Sequence, residues 1–131
     1  MKSLIEQIEI SNRPTLLLVE DDLTHLTIFE TLLTQQGYEV ITAENVNQAI
    51  SQIEARVIDC IVSDLMLPGK DGSKLIDYLR ETRNRAPIIM ITSSSEDVEK
   101  DLIRKGANGF CLKQFASRRL VPQIRALLGQ I

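Results

Sequence analysis

Three carboxylates, a hydroxyl and an ammonium fall at the ends of short apolar runs in this chain. Glu20 and Asp21 close the run Leu16–Val19, Asp64 closes Ile61–Ser63, Thr92 closes Ile88–Ile91, and Lys113 follows Gly109–Leu112. If those runs are neighbouring parallel strands, all five residues converge on one edge of one sheet. Carboxylates packed within a few ångströms of each other repel, which raises their pKa values or demands a cation. A hard divalent ion resolves the conflict, and Mg²⁺ fits because it takes few protein ligands and keeps waters and phosphate oxygens. The set suits a divalent cation and a transferable phosphoryl group.

A plainer reading exists for Glu20-Asp21-Asp22, because acids at a helix start are favoured by the positive end of its dipole. Asp22 fits that role, with the apolar face of a helix running from Leu23. Asp64 resists the plain reading. It follows a mostly apolar stretch and precedes Leu65-Met66-Leu67-Pro68-Gly69, so its carboxylate is held at the rim of a buried strand with no partner nearby in sequence.

The elements that must position these residues alternate along the chain. Short apolar runs near 15–19, 38–42, 58–63, 87–92 and 109–112 are each followed by a segment of helical period, near 23–36, 45–55, 72–83, 96–105 and 117–129. Strands that are apolar on both faces and alternate with helices predict a parallel sheet covered on each side. Gln36-Gly37 ends the first helix, Gly106 ends the fourth, and Asp71-Gly72 or Ser73 opens the third. Ligands of such sheets bind at the carboxyl ends of the strands, near the switch point in strand order. That is the edge holding the five polar residues.

The bulk properties narrow the function. A length of 131 residues with 44% hydrophobic content fits one domain with one core. With 15 basic and 18 acidic residues the net charge is −3, which leaves no broad basic footprint for direct nucleic-acid binding. No stretch approaches the roughly 18 apolar residues that span a bilayer, and the N-terminus lacks a signal-peptide layout, so a cytoplasmic location is expected. Cys60 and Cys111 sit inside apolar runs and read as small buried hydrophobes rather than redox or metal groups. His25, the single histidine, reads as a surface residue of the first helix. Residues 1–13 read as an N-terminal extension, open between a short amphipathic turn through Leu4, Ile5 and Ile8 and disorder. Residues 14–131 read as the domain, with no linker or second domain after it.

Four ordered motifs resemble those of the receiver domains of two-component response regulators. They are Val19-Glu20-Asp21-Asp22, the segment Ser63-Asp64-Leu65-Met66-Leu67-Pro68-Gly69-Lys70-Asp71-Gly72, Ile91-Thr92-Ser93, and Phe110-Cys111-Leu112-Lys113. The resemblance extends over about residues 14–130. The resemblance implies a flavodoxin-like (βα)5 doubly wound fold in three layers, with strand order 2-1-3-4-5. It implies that Asp64 accepts a phosphoryl group from a histidine kinase or histidine phosphotransfer protein. Asp21 would bind Mg²⁺ directly, Glu20 largely through water, and Asp64 and the backbone carbonyl of Met66 would complete the protein's share. Thr92 and Lys113 would each meet a phosphoryl oxygen. Met66 and Ser94 would set the lifetime of the phosphorylated state.

The family's output also has counterparts. Thr92 and Phe110 match the switch pair that reshapes the face of the fourth helix, fifth strand and fifth helix, where a downstream protein or a second copy would dock. Phe110 stands where many relatives have Tyr, so only packing and rotation operate, and a plain core phenylalanine is the competing reading. Relatives place a cis proline after the lysine. Gln114 stands there, so the Lys113–Gln114 bond is either cis at a cost of about 2.5–4 kcal/mol or trans with a reshaped loop. Arg118, Arg119 and Arg125 are either a partner-binding strip or a solvated face. The expected function is a stand-alone phosphoacceptor rather than an enzyme with a separate substrate. The alternative is a phosphorylation-independent pseudo-receiver adaptor. An aspartyl phosphatase would pair its nucleophile with an acid two residues on, where this chain has Met66, and no glycine-rich nucleotide loop follows the first strand.

Overall fold

The computed structural model describes residues 3–6, 12–93 and 97–130. Five strands and five helices alternate: β1 (Thr15–Val19), α1 (Leu23–Gln35), β2 (Glu39–Ala43), α2 (Val46–Ala55), β3 (Cys60–Asp64), α3 (Ser73–Glu81), β4 (Ile88–Thr92), α4 (Glu99–Lys105), β5 (Gly109–Leu112) and α5 (Ala116–Leu127). Every strand pair is parallel, and the order is β2-β1-β3-β4-β5.

Alternate residues of each strand feed separate cores, because side chains along a strand point to opposite faces. Leu17, Val19, Ile61 and Met90 pack beneath α2, α3 and α4 against Val46, Ile53, Leu75, Ile76 and Leu102. Leu16, Leu18, Val62, Ile89 and Ile91 pack beneath α1 and α5 against Phe29, Leu33, Leu120 and Ile124. The sheet is therefore covered on both faces, as the continuously apolar runs predict. α1 and α2 leave β1 and β2 on opposite faces, which opens the crevice above β1 and β3.

Local chemistry sets the boundaries. The Asp22 side chain accepts the His25 backbone N–H at 3.0 Å and starts α1, while Asn45 accepts the Gln48 N–H at 2.8 Å and starts α2. Gly37 and Gly106, at φ +94° and +130°, follow or cap the helices that the sequence ends there. β2, β3 and β4 each begin one or two residues later than the apolar runs. α4 starts at Glu99 instead of 96, with Glu99 and Asp101 in its first turn at the positive dipole end. Residues 4–6 form one helical turn in which Ser3 Oγ accepts the Glu6 N–H, whereas Ile8, the third residue of the expected amphipathic turn, lies outside the described residues.

Candidate functional site

The site is built where backbone pairing ends. Glu20 follows β1, and its N–H still donates to the Ala43 carbonyl at 3.0 Å, which holds the residue in the plane of the sheet. Its carboxylate is consequently fully buried, with 0% exposure, and Oε1 accepts the Asp22 N–H at 3.1 Å. Asp21 turns outward and is exposed. Asp64 ends β3 between β1 and β4, and the next N–H, of Leu65, donates to the Ile91 carbonyl. Both Asp64 oxygens are engaged. Oδ1 accepts the Met66 N–H at 3.1 Å, and Oδ2 accepts from Lys113 Nζ at 2.8 Å.

Gly72 lets α3 begin this close to the strand end. A Cβ at that position would lie 2.1 Å from the Asp64 carbonyl oxygen, and the Gly72 N–H donates to the Leu65 carbonyl at 2.8 Å. Only a residue without a side chain fits that approach. The sequence marks Gly72 as a helix start; its packing against Asp64 depends on where α3 lands and is not visible in the motif.

The charges are poorly balanced within the protein. One carboxylate oxygen from each of Glu20, Asp21 and Asp64 can lie within 4.8 Å of the others. Lys113 Nζ is 2.9 Å from Glu20 Oε2, yet that oxygen is buried without an aligned hydrogen bond. Burial raises the Glu20 carboxyl above its ordinary range, and the Asp64 charge adds to this against the opposing pull of Lys113. For Lys113 burial works against the charged form, but its contacts with Asp64 and Glu20 outweigh that and hold the ammonium above its ordinary range. An oxygen-lined cluster with one orphaned carboxylate oxygen fits a hard cation such as Mg²⁺.

The response regulator receiver domain family matches residues 16–125. This chain belongs to that family. The receiver domain is similar to the alkaline phosphatase synthesis transcriptional regulatory protein PhoP of Bacillus subtilis, at 33% identity over 114 residues. The match takes in 86% of this chain and 48% of PhoP, so the chain spans about half the length of that curated relative. A crystal structure from Chloroflexus aurantiacus, assigned to the response regulators, is 32% identical with a TM-score of 0.84, covering 91% of this chain and all of that one. The chemotaxis response regulator CheY4 of Vibrio cholerae is 25% identical with a TM-score of 0.80, covering 89% of this chain and all of CheY4. The flavodoxin-like order 2-1-3-4-5 agrees with these likenesses. Among the described residues no helix is long and apolar enough to cross a membrane.

The remaining residues singled out in the sequence take varied places in the receiver domain. Thr92 ends β4 and is buried, one residue beyond the Ile91 that pairs with Asp64. The Met66 side chain stands out over the rim, 68% exposed. Ser94 lies outside the described residues. Phe110 is partly buried against the α2–α4 core, and its carbonyl accepts from Gln123 Nε2 at 3.1 Å. A small depression of about 170 Å³ lies beside it, lined in part by Glu99, Phe115 and Arg119.

Among the described residues no peptide bond is cis, so the loop after Lys113 takes the reshaped trans form, a 3₁₀ turn over Lys113–Phe115 whose first carbonyl accepts the Ala116 N–H. Arg119 and Arg118 lie 4.8 and 6.0 Å from the Phe115 ring centre. Arg125 does not continue that strip; it donates to Gln36 Oε1 at 2.9 Å across to the end of α1.

Two cysteines and one histidine complete the comparison. Cys60 and Cys111 are buried free thiols, as their apolar runs predict. His25 corrects the reading as a plain surface residue. Its side chain is 42% exposed, but Nδ1 sits 3.2 Å from Lys113 Nζ. The only signal in sequence was its place in the first turn after Glu20-Asp21-Asp22. Its partner, 88 residues away, could not be read there.

Proposed function

We propose that this receiver domain accepts a phosphoryl group on Asp64 from a phosphohistidine donor, a histidine kinase or a phosphotransfer protein. The observation that carries the reading is Asp64 itself: a buried carboxylate at a strand end, held by Lys113 at 2.8 Å and crowded by Glu20 and Asp21. The Met66 N–H and the Lys113 ammonium fix one oxygen each, so the group is oriented before a donor arrives. In the transfer, an Asp64 oxygen forms the new P–O bond as the donor P–N bond breaks, and the electron pair of that bond returns to the histidine nitrogen. Such transfers pass through a loose transition state, so positioning and charge neutralisation are most of the catalysis.

Asp21, Glu20, Asp64 and the Met66 carbonyl would hold Mg²⁺, which when bound neutralises phosphoryl charge. Lys113 neutralises a second oxygen, and the Thr92 hydroxyl donates to a third. Met66 at the rim, and Ser94, set how readily water reaches the acyl phosphate. The output passes from Thr92 to Phe110 and the α4–β5–α5 face, by packing because Phe110 has no hydroxyl. That face contacts a downstream protein or, on phosphorylation, a second copy. Residues 14–131 act as the signalling unit in the cytoplasm, residues 1–13 forming an extension.

Incubation with acetyl phosphate and Mg²⁺ tests the reading by intact mass. The wild type should gain one phosphoryl group, and Asp64→Asn should gain none. A folded wild type that gains nothing under any condition would favour a phosphorylation-independent adaptor.

A further inference from the structure

The ammonium of Lys113 has three protons and lies within 3.2 Å of polar atoms from three elements, of which Glu20 Oε2 is an ion-pair contact without an aligned hydrogen bond. Asp64 Oδ2 at the end of β3 accepts at 2.8 Å, Glu20 Oε2 after β1 lies at 2.9 Å, and His25 Nδ1 in α1 lies at 3.2 Å. The first two are the acids of the cation cluster. Their oxygens are the ones that a cation or a phosphoryl group would draw on. His25 stands outside that cluster, and its ring nitrogen belongs to neither.

A lysine ammonium is a donor only. The 3.2 Å contact is therefore attractive only when Nδ1 is bare, which places the ring proton on Nε2. The Asp22 cap accepts the His25 backbone N–H at 3.0 Å and fixes the main chain there, and the ring itself stacks on Phe29 one turn later at 6.0 Å between centres. The Asp22 carboxylate, 3.8 Å from Nδ1, is too far to compete as a hydrogen-bond partner.

We propose that His25 is a positioning residue for Lys113, its Nδ1 anchoring the ammonium from the α1 side so that the other two protons face the acids and an incoming phosphoryl oxygen. When the acid oxygens are taken up by a cation or become part of an acyl phosphate, His25 is the acceptor that stays with the lysine. It fixes the ammonium at the end of a flexible four-carbon stem whose following bond, to Gln114, lacks the stiffness of a proline. The inference rests on the reading of Lys113 as the phosphoryl-facing cation.

Three variants separate positioning from packing. Asn in place of His25 puts its Oδ1 near the position of Nδ1; Gln carries its amide one methylene too far; Leu fills space with no acceptor. Each is compared with wild type by the ¹⁵N–¹H signal of the Lys113 ammonium without donor, and by the rate of phosphorylation from acetyl phosphate with Mg²⁺. His25→Asn should keep the ammonium signal and a rate within about twofold of wild type. His25→Leu and His25→Gln should broaden the signal through faster exchange and slow phosphorylation roughly fivefold, equivalent to about 1 kcal/mol. Unchanged signal and rate in His25→Leu would overturn the inference, and so would equal losses in Asn and Leu. If the wild type takes no phosphoryl group, the function proposed above fails, and the ammonium signal alone then decides the role of His25.

Discussion

The two edges of the sheet carry similar residue types and put them to opposite uses. At the amino ends of the strands, Asp59 Oδ2 accepts the Thr15 N–H at 2.7 Å and Asn108 Oδ1 accepts the Ile88 N–H at 3.0 Å. Each closes a backbone donor that the sheet leaves open, as buried polar groups generally must. At the carboxyl ends, Glu20 and Asp64 are buried beside each other with one lysine between them, and Glu20 Oε2 stays without an aligned hydrogen bond. One edge is satisfied by the protein alone; the other is satisfied only in part. A polar residue at a strand end marks function when the fold leaves its demand open.

The largest effect should come from the contact that lets the functional edge close. Gly72→Ala would drive a methyl into the Asp64 carbonyl, and the shift it forces should cost about 3 kcal/mol or more in urea unfolding. Phosphorylation should fall with it. Lys113→Met comes next. It leaves two buried acids without their cation, which should cost about 3 kcal/mol, and part of the loss should return on adding Mg²⁺. A loss that Mg²⁺ does not reduce would mean that the acids are not the cation's site.

At the opposite edge, Asp59→Ala should cost about 1 kcal/mol by leaving the Thr15 N–H open, without altering Mg²⁺-dependent stabilisation. A changed response to Mg²⁺ would break the division between the edges. The smallest effect belongs to Cys60, at the amino end of β3, whose thiol burial pushes up to about 12 from 9.0. In the unfolded chain that thiol ionises near its ordinary value, while the folded one stays protonated. The thiol's own contribution to stability should thus be level below about pH 9 and fall as pH rises beyond it. The slope between pH 9 and 10 should be shallower in Cys60→Ala, as urea midpoints would show.

What was legible in the sequence follows the same division. Runs apolar on both faces announced a covered parallel sheet, and polar residues closing those runs announced where the acids would gather, because both signals are local. Gly72, His25 and the Arg125 bond to Gln36 were not legible as parts of contacts, because each depends on where a helix lands on the sheet. α1 and α5 share one face, which is what brings the first turn of α1 to a lysine at the end of β5. The start of α4 was missed for a different reason: Val98, at its N-cap, makes no side-chain hydrogen bond, so no capping residue marks the boundary.

Asp64, the buried acid that ends β3, is the proposed acceptor, and trapping the product tests this most directly. Protein treated with acetyl phosphate and Mg²⁺ is reduced with borohydride, which converts an aspartyl phosphate to homoserine, and then mapped by peptide mass. Homoserine is expected at position 64 alone. Homoserine at position 21 or at another acid, or none in a folded protein, would contradict it.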